Sequence, residues 1–268
     1  MATDPVRIAV HGAAGRMGRS LVELARQDAR LRLVAALVAA GSDLEGTPLR
    51  VPAAPGALAY STQLPEAARA RVLIDFSSAA GFDGALALCR ARRIALVSGS
   101  TGLSGAQHTA LEAAAAEIPV LHAANFSLGI SLLTRLLRVA AAALPLWDIE
   151  IIEAHHARKL DAPSGTALAL GDAAATAREQ RSGALMQQLG HGRTGPRTPG
   201  GIGFAVLRGG DVVGEHSVWL LGQGERIELT HRAGQRDIFA RGALAAAHWL
   251  AARPPGHYAL EQVLGLDD

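Results

Sequence analysis

Through the first 126 residues, short apolar runs alternate with stretches whose apolar residues recur at helical spacing. Arg7-Ile8-Ala9-Val10, Leu31 to Val38, Val72 to Phe76, Ile94 to Val97 and Ile118 to Leu121 read as strands. Residues 15–27, 79–92 and 104–117 read as helices. In the first, Met17, Leu21, Leu24 and Ala25 share one face; in the last, Ser104 stands as N-cap. Alternation of this kind demands a parallel sheet, because each crossover helix covers a face and leaves the strands buried on both sides. A doubly wound α/β domain is expected over residues 1–126. Residues 41–70, rich in Gly, Pro and Ala, give no assignment.

Beyond residue 126 the pattern changes. A helix is expected over 129–143, a strand at Asp148–Glu153 and a helix from Gly165 to Gln180. Residues 182–201 hold many Gly and Pro without periodicity and read as a long loop, a length that in a compact domain goes with function. Three strand-like runs from Ile202 to Ala233, separated by Gly209-Gly210-Asp211 and Gly222-Gln223-Gly224, predict an antiparallel meander. Residues 237–252 return to a helix. The expectation is an α+β domain with a mainly antiparallel sheet at 127–236, with 237–268 packing back on the first domain. A chain of 268 residues is long enough for two such domains.

Composition removes several classes. Hydrophobic content of 49% with 19% charged excludes a disordered chain. Net charge is only +2 and no Arg run is interleaved with aromatics, which argues against nucleic acid. Cys89, the single cysteine, cannot form an internal disulfide and lies in an Ala/Leu-rich helical pattern, as a packed small hydrophobe would. Met-Ala-Thr-Asp-Pro carries no basic and apolar leader pattern, and no uninterrupted apolar run reaches about 18 residues. A cytoplasmic protein with no membrane segment is expected.

After the first strand, Gly12-Ala13-Ala14-Gly15-Arg16-Met17-Gly18 opens a helix. Glycines there permit a tight turn and bring backbone N–H groups close to a pyrophosphate at the helix N-terminus; the competing reading is a turn of structural value alone. The acid that often holds the ribose 2′-hydroxyl is missing, since the second strand ends Leu37-Val38-Ala39-Ala40. Arg16 and Arg19 stand near the loop, either to neutralise a 2′-phosphate or as a solvated helix face.

Of 26 basic residues, 25 are Arg and one is Lys159, inside His155-His156-Ala157-Arg158-Lys159-Leu160-Asp161-Ala162-Pro163-Ser164-Gly165-Thr166. Three readings compete. A metal site with Glu153 as third ligand is disfavoured because adjacent strand histidines point to opposite faces. A solvated strand end explains two His and an Arg, but not the placement of the only lysine. An anion-binding active site explains the whole stretch. Pro163, Ser164 and Gly165 suit a helix start that attracts a carboxylate, His can exchange a proton near neutral pH, and Lys supplies a compact, titratable cation where Arg supplies a planar, permanent one.

The stretch from Glu153 to Ala167 matches the signature E-x-H-H-x-x-K-x-D-x-P-S-G-T-A, and with it the chain resembles the 4-hydroxy-tetrahydrodipicolinate reductase (dihydrodipicolinate reductase) family of bacterial lysine and diaminopimelate synthesis. Gly12 to Gly18, Ile74 to Ser77, Gly99-Ser100-Thr101-Gly102, Ala123 to Ser127, Gly200 to Phe204 and Gly210 to His216 extend the resemblance over essentially the whole chain. It implies a Rossmann-type domain, a substrate domain whose sheet builds a homotetramer, NADPH or NADH as cofactor, and a cyclic dicarboxylate substrate. By the same resemblance His155 is the proton donor and Lys159 the second catalytic group. His156, Ser164, Gly165, Thr166 and Thr101 meet the substrate. Gly12, Ala13, Ala14, Gly15, Arg16, Met17, Gly99, Ser100, Thr101, Ala123, Ala124, Asn125 and Phe126 line the cofactor, with Thr101 and Asn125 where nicotinamide and substrate meet. Some members carry Glu-Arg where Val38-Ala39 stand here, which leaves the choice between NADH and NADPH open, and the family's Gly-Thr-Thr-Gly is Gly-Ser-Thr-Gly. The alternatives are a related Rossmann dehydrogenase acting on another amino or keto acid, and a dinucleotide-sensing regulator without turnover.

Overall fold

The computed structural model describes residues 4–49, 58–179, 195–197 and 200–266, and the backbone of 186–187. The chain divides into two compact units, Met1–Leu128 with Asp237–Asp268, and Gly129–Arg236.

In the first unit, strands β1 (Val6–His11), β2 (Leu31–Leu37), β3 (Tyr60–Ser61), β4 (Val72–Asp75), β5 (Ala95–Ser98), β6 (Pro119–His122) and β12 (Gly256–Tyr258) form one sheet in the order β12-β6-β5-β4-β1-β2-β3. Each neighbouring pair is parallel. From β1 the chain winds first to β2 and then back to β4 on the other side, so the order reverses at β1, where open sheets of this kind bind ligands. The apolar runs alternate between two cores. Ile8, Val10 and Ile74 pack with Leu21 and Leu24 of α1 (Arg16–Gln27) and with Ala243 and Leu250 of α6 (Asp237–Leu250). Ala9, Leu73 and Leu96 pack with Phe82, Leu86 and Cys89 of α2 (Ala79–Arg92) and Leu111 of α3 (Gly105–Ala115). Burial of Cys89 pushes its thiol well up, which suits a packing role. Ser78 caps α2, and Ser104 forms a capping box with Gln107 at α3, each stabilising its helix by about 1 kcal/mol. Strand β12 is too short and too polar to be read from the sequence; it extends the sheet at β6.

In the second unit, β7 (Asp148–His155), β8 (Met186–Gln187), β9 (Ile202–Arg208), β10 (Gly214–Leu221) and β11 (Arg226–Ala233) form a sheet in the order β11-β10-β7-β9-β8. Strands β11, β10 and β7 are mutually antiparallel, while β9 runs parallel to β7 and β8 parallel to β9. The meander is therefore half right. Gly222-Gln223-Gly224 closes a true hairpin between β10 and β11. Gly209-Gly210-Asp211 does not, because β7 lies between β9 and β10. The turn passes over the end of β7 instead: the Gly209 N–H donates to the His155 carbonyl at 3.0 Å, and the Ala157 N–H to the Gly210 carbonyl at 3.2 Å. Alternation along β7 puts Ile149 and Ile151 on one face, against Leu133 and Leu137 of α4 (Leu128–Ala143) and Leu170 and Ala174 of α5 (Gly165–Ala177). Most of the 182–201 loop lies outside the described residues. From its described part, Arg197 reaches back to Asp148 at 3.2 Å, to Glu150 and to the Ile149 carbonyl at 2.8 Å. Among the described residues no helix is long and apolar enough to cross a membrane.

Candidate active site

Two polar clusters stand out, one in each unit, each at the carboxyl end of a strand.

In the first unit the chain leaves β1 through Gly12, whose φ of +74° favours glycine. A Cβ on Gly12 would lie 2.7 Å from the Phe76 carbonyl oxygen, and one on Gly18 would lie 2.1 Å from the Gly12 oxygen. The glycines thus let the loop press on the end of β4 and let α1 press on the loop. No side chain caps α1 and no acid occupies its first turn, so its N–H groups and the positive end of its dipole suit an anion. A cleft of about 510 Å³ lies in front, lined by Gly12, Ala14, Gly15, Val38, Ala39, Ser42 and the residues after β4. These features fit a dinucleotide with its pyrophosphate on the Gly12–Met17 turn, and Val38 and Ala39 present no acid to a 2′-phosphate. Arg16 is exposed, while the Arg19 Nε donates to the Ala14 carbonyl at 2.9 Å.

Below this turn lies Asp75, fully buried. It accepts from His11 Nδ1 at 2.8 Å, the Ser77 hydroxyl at 2.7 Å, the Ser98 hydroxyl at 2.9 Å and the Ser100 hydroxyl at 2.8 Å. Burial pushes the carboxyl up, but the His11 and serine hydrogen bonds outweigh it and hold it below the usual carboxylate range. Of the residues expected at the cofactor, Gly99 and Ser100 belong to this group. A Cβ on Gly99 would strike the Phe76 ring at 2.3 Å. Phe126 is buried with its ring centroid 5.3 Å from that of Phe76, and the Ala123 N–H bonds the Ser98 carbonyl at 3.1 Å. Asn125 Oδ1 accepts from the Ser127 N–H at 2.8 Å, and Thr101 is exposed. Gly12–Met17, Gly99–Ser100 and Ala123–Phe126, distant in sequence, all follow the carboxyl ends of β1, β5 and β6.

The second cluster begins where the inward face of β7 turns polar. Glu153, next on that face after Ile151, is buried, and His155 follows it two residues on, the strand period. Register places His216 of β10 opposite Glu153 and Arg208 of β9 opposite His155. Arg208 donates to both Glu153 oxygens, at 2.9 and 2.7 Å. His155 Nδ1 bonds Glu153 Oε2, and the Ser164 N–H bonds Oε1 at 3.0 Å. Burial pushes Glu153 up, yet Arg208, His155 and the Ser164 amide together hold it below the usual range. His216 is pushed down to about 4 by burial first and the nearby His155 second, so it is neutral at neutral pH. Its Nε2 lies 3.2 Å from the Ser164 hydroxyl, and its ring is 5.2 Å from that of His155. Glu153, His155 and His216 carry ligand-type atoms within 4.8 Å of one another, but the Arg208 guanidinium already occupies the Glu153 carboxylate.

Ser164 is turned inward: its hydroxyl caps α5 by accepting from the Ala167 N–H at 3.2 Å. Gly165 faces open space, since a Cβ there would touch nothing within 4 Å. Lys159 reaches both oxygens of exposed Asp161 at 2.8 Å, and that contact lowers the Asp161 carboxyl. His156 follows β7 with its Nδ1 buried and without a partner. The fold thus brings His155, Ser164 and the start of α5 together around one carboxylate. Local sequence patterns did not single out the clusters' Asp75, His11, Arg208 and His216, and offered Glu153 only within a disfavoured metal reading and as the first residue of the signature. The Glu153-x-His155 spacing was the visible signal; Arg208 and His216 depend on strand order, which no local pattern carries.

Residues 6–126 match the family described as "Dihydrodipicolinate reductase, N-terminus", and residues 129–264 match "Dihydrodipicolinate reductase, C-terminus". The chain is 50% identical over 266 residues to the 4-hydroxy-tetrahydrodipicolinate reductase of Alkalilimnicola ehrlichii, covering 97% of this chain and 99% of that protein. It is 47% identical over 264 residues to the enzyme of the same name from Stenotrophomonas maltophilia, covering 98% and 100%. Among solved structures, a dipicolinate-bound dihydrodipicolinate reductase from Paenisporosarcina superposes with a TM-score of 0.77 at 24% identity, covering 96% of this chain and 99% of that one, and so shares the fold. With both halves matched and near-complete coverage of relatives this similar, the chain belongs to the dihydrodipicolinate reductase family.

Proposed function

We infer that this chain reduces 4-hydroxy-tetrahydrodipicolinate, by way of dihydrodipicolinate, to tetrahydrodipicolinate, the step its relatives are named for. The observation that carries the reading is the stretch Glu153–Ala167. It sets an imidazole on a buried carboxylate, the chain's only lysine, and the start of a helix at one end of β7. A reduced nicotinamide dinucleotide supplies a hydride when bound. The substrate then needs a proton, which His155 gives. Lys159 supplies positive charge for the substrate carboxylates and exchanges Asp161 for them. His156, Gly165 and Thr166 complete the carboxylate cradle at the dipole end of α5, with Ser164 fixing that end from behind. Thr101 contributes its hydroxyl from the loop after β5.

In the first unit, Gly12–Met17 hold the pyrophosphate, and Gly99–Thr101 with Ala123–Phe126 line the nicotinamide side. NADPH is accepted, because Val38 and Ala39 offer no charge that repels a 2′-phosphate and Arg16 is exposed beside the turn; NADH is not excluded. The open face of the second sheet, where Leu207 is 56% exposed, builds a homotetramer, which light scattering would register as four times the chain mass. The function is tested by following NADPH and NADH consumption with substrate generated in place by a coupled synthase from pyruvate and aspartate semialdehyde. Consumption that requires this chain is expected. No consumption of either dinucleotide would defeat the reading and favour a sensing role.

A further inference from the structure

We propose that Glu153 and Arg208 act as a charge-balanced positioning pair: one carboxylate fixes the His155 ring and the start of α5 together, and the guanidinium behind holds that carboxylate in place. The inference rests on His155 as proton donor.

Glu153 is 1% exposed and accepts four hydrogen bonds, from His155 Nδ1, the Ser164 N–H and two Arg208 nitrogens. Only an ionised carboxylate accepts four; a neutral amide or acid would turn a donor toward another donor. Because His155 spends Nδ1 on Glu153, Nε2 is the nitrogen left to work. Gly214 borders that atom: a Cβ there would stand 3.0 Å from Nε2, so a side chain at this position would crowd it. The same carboxylate holds the Ser164 amide at 3.0 Å, so proton donor and cradle share one anchor.

The charges oppose each other. Glu153 sets a negative charge against His155 Nδ1, and the Arg208 guanidinium sets a positive charge on the same carboxylate. Among the described residues, the charged or titratable groups by this cluster include His216 on β10, His231 opposite it on β11, His156 next in the chain, and Lys159 and Asp161 in the following loop. Removing either member of the pair should therefore move the pH profile, and in opposite directions. A packing role would give no such opposition.

The test compares kcat/KM against pH for wild type, Glu153→Gln, Arg208→Met and the double variant, with the dinucleotide KM measured alongside. Glu153→Gln should lower kcat at least tenfold near pH 8, of the order expected when proton transfer is impaired, and move the alkaline limb to lower pH. Arg208→Met should move that limb to higher pH, and the dinucleotide KM should stay put in both. Long-range ¹H–¹⁵N correlation on ¹⁵N-histidine-labelled wild type should show His155 protonated at Nδ1. Coincident limbs, shifts of the same sign in both variants, or an Nδ1 without a proton would overturn the inference. If Glu153→Gln does not fold, Arg208→Met and the wild-type spectrum still decide. A wild type without turnover removes the functional reading and the inference with it; turnover with unmoved limbs removes the inference alone.

Discussion

Among the described residues, each unit buries one carboxylate at the carboxyl end of a strand, and each carboxylate holds a histidine by Nδ1, yet the two clusters differ in what satisfies them. Asp75 is bonded by three serine hydroxyls besides His11, from β1, β5 and the loops after β4 and β5. It pins together strand ends where the sheet order reverses, beneath the glycine turn. Glu153 is bonded by a guanidinium, and beyond it stand His155, Lys159 and a helix start. Both carboxyls are held below their usual range. A lowered carboxyl therefore does not by itself mark an active site. Three serine hydroxyls gathered on Asp75 tie strand ends together, whereas Glu153 is matched by the Arg208 guanidinium and carries the histidine proposed as proton donor.

The largest expected effect breaks the second cluster alone. His155→Gln should lower kcat about 10²–10⁴-fold, more than it raises KM, with the thermal midpoint preserved; near-normal kcat would move the proton to His156 or water. Breaking the first cluster should do the converse. Asp75→Ala strands five hydrogen bonds in the interior and should cost about 3 kcal/mol of folding stability, read by denaturant titration, while substrate KM in the folded protein holds. A variant of unchanged stability but poor turnover would reverse the comparison.

Acid separates the clusters more finely. For Asp75 and Glu153 the folded carboxyls sit below the unfolded ones, so their contribution is complete above the unfolded values, about 3.9 and 4.3, and is lost as pH falls through the folded ones. His216 acts earlier. Folded, it takes a proton only near pH 4, whereas unfolded it does so near 6.5, so stability should already fall between those values. His216→Gln should flatten that upper part of the acid titration and leave the lower part. A titration with no slope between 6.5 and 4 in wild type would contradict the burial argument. The smallest effect lies at the rim of the cofactor cleft: Arg16→Ala should weaken NADPH relative to NADH by roughly two- to fivefold, as an exposed ion pair allows. Equal loss for both dinucleotides would assign Arg16 to the pyrophosphate.

The sequence showed what depends on neighbours in the chain. The runs at Ile8, Leu73 and Leu96, the helix faces, the Ser104 cap, the glycine turn and the Glu153–Thr166 stretch are all local patterns. What depends on pairing across the sheet was not legible. Nothing near Gly209-Gly210 says that β7 will lie between the strands it joins, and without that order Arg208 and His216 cannot be placed beside Glu153. Ser77, Ser98 and Ser100 look like ordinary loop serines until Asp75 gathers them. Tyr258 reads as a polar tail until β12 adds to β6.

If the polar groups at the end of β7 serve chemistry rather than composition, Lys159 shows it most directly, in a chain that uses Arg at 25 other basic positions. The measurement is kcat/KM of Lys159→Arg in the coupled reductase assay, with dinucleotide affinity determined in parallel. On the proposed role, a planar guanidinium does not replace the compact ammonium that now rests on Asp161. At least a tenfold loss is expected, about 1.4 kcal/mol of transition-state stabilisation, with dinucleotide affinity unchanged. An Arg variant with wild-type kcat/KM would contradict the account.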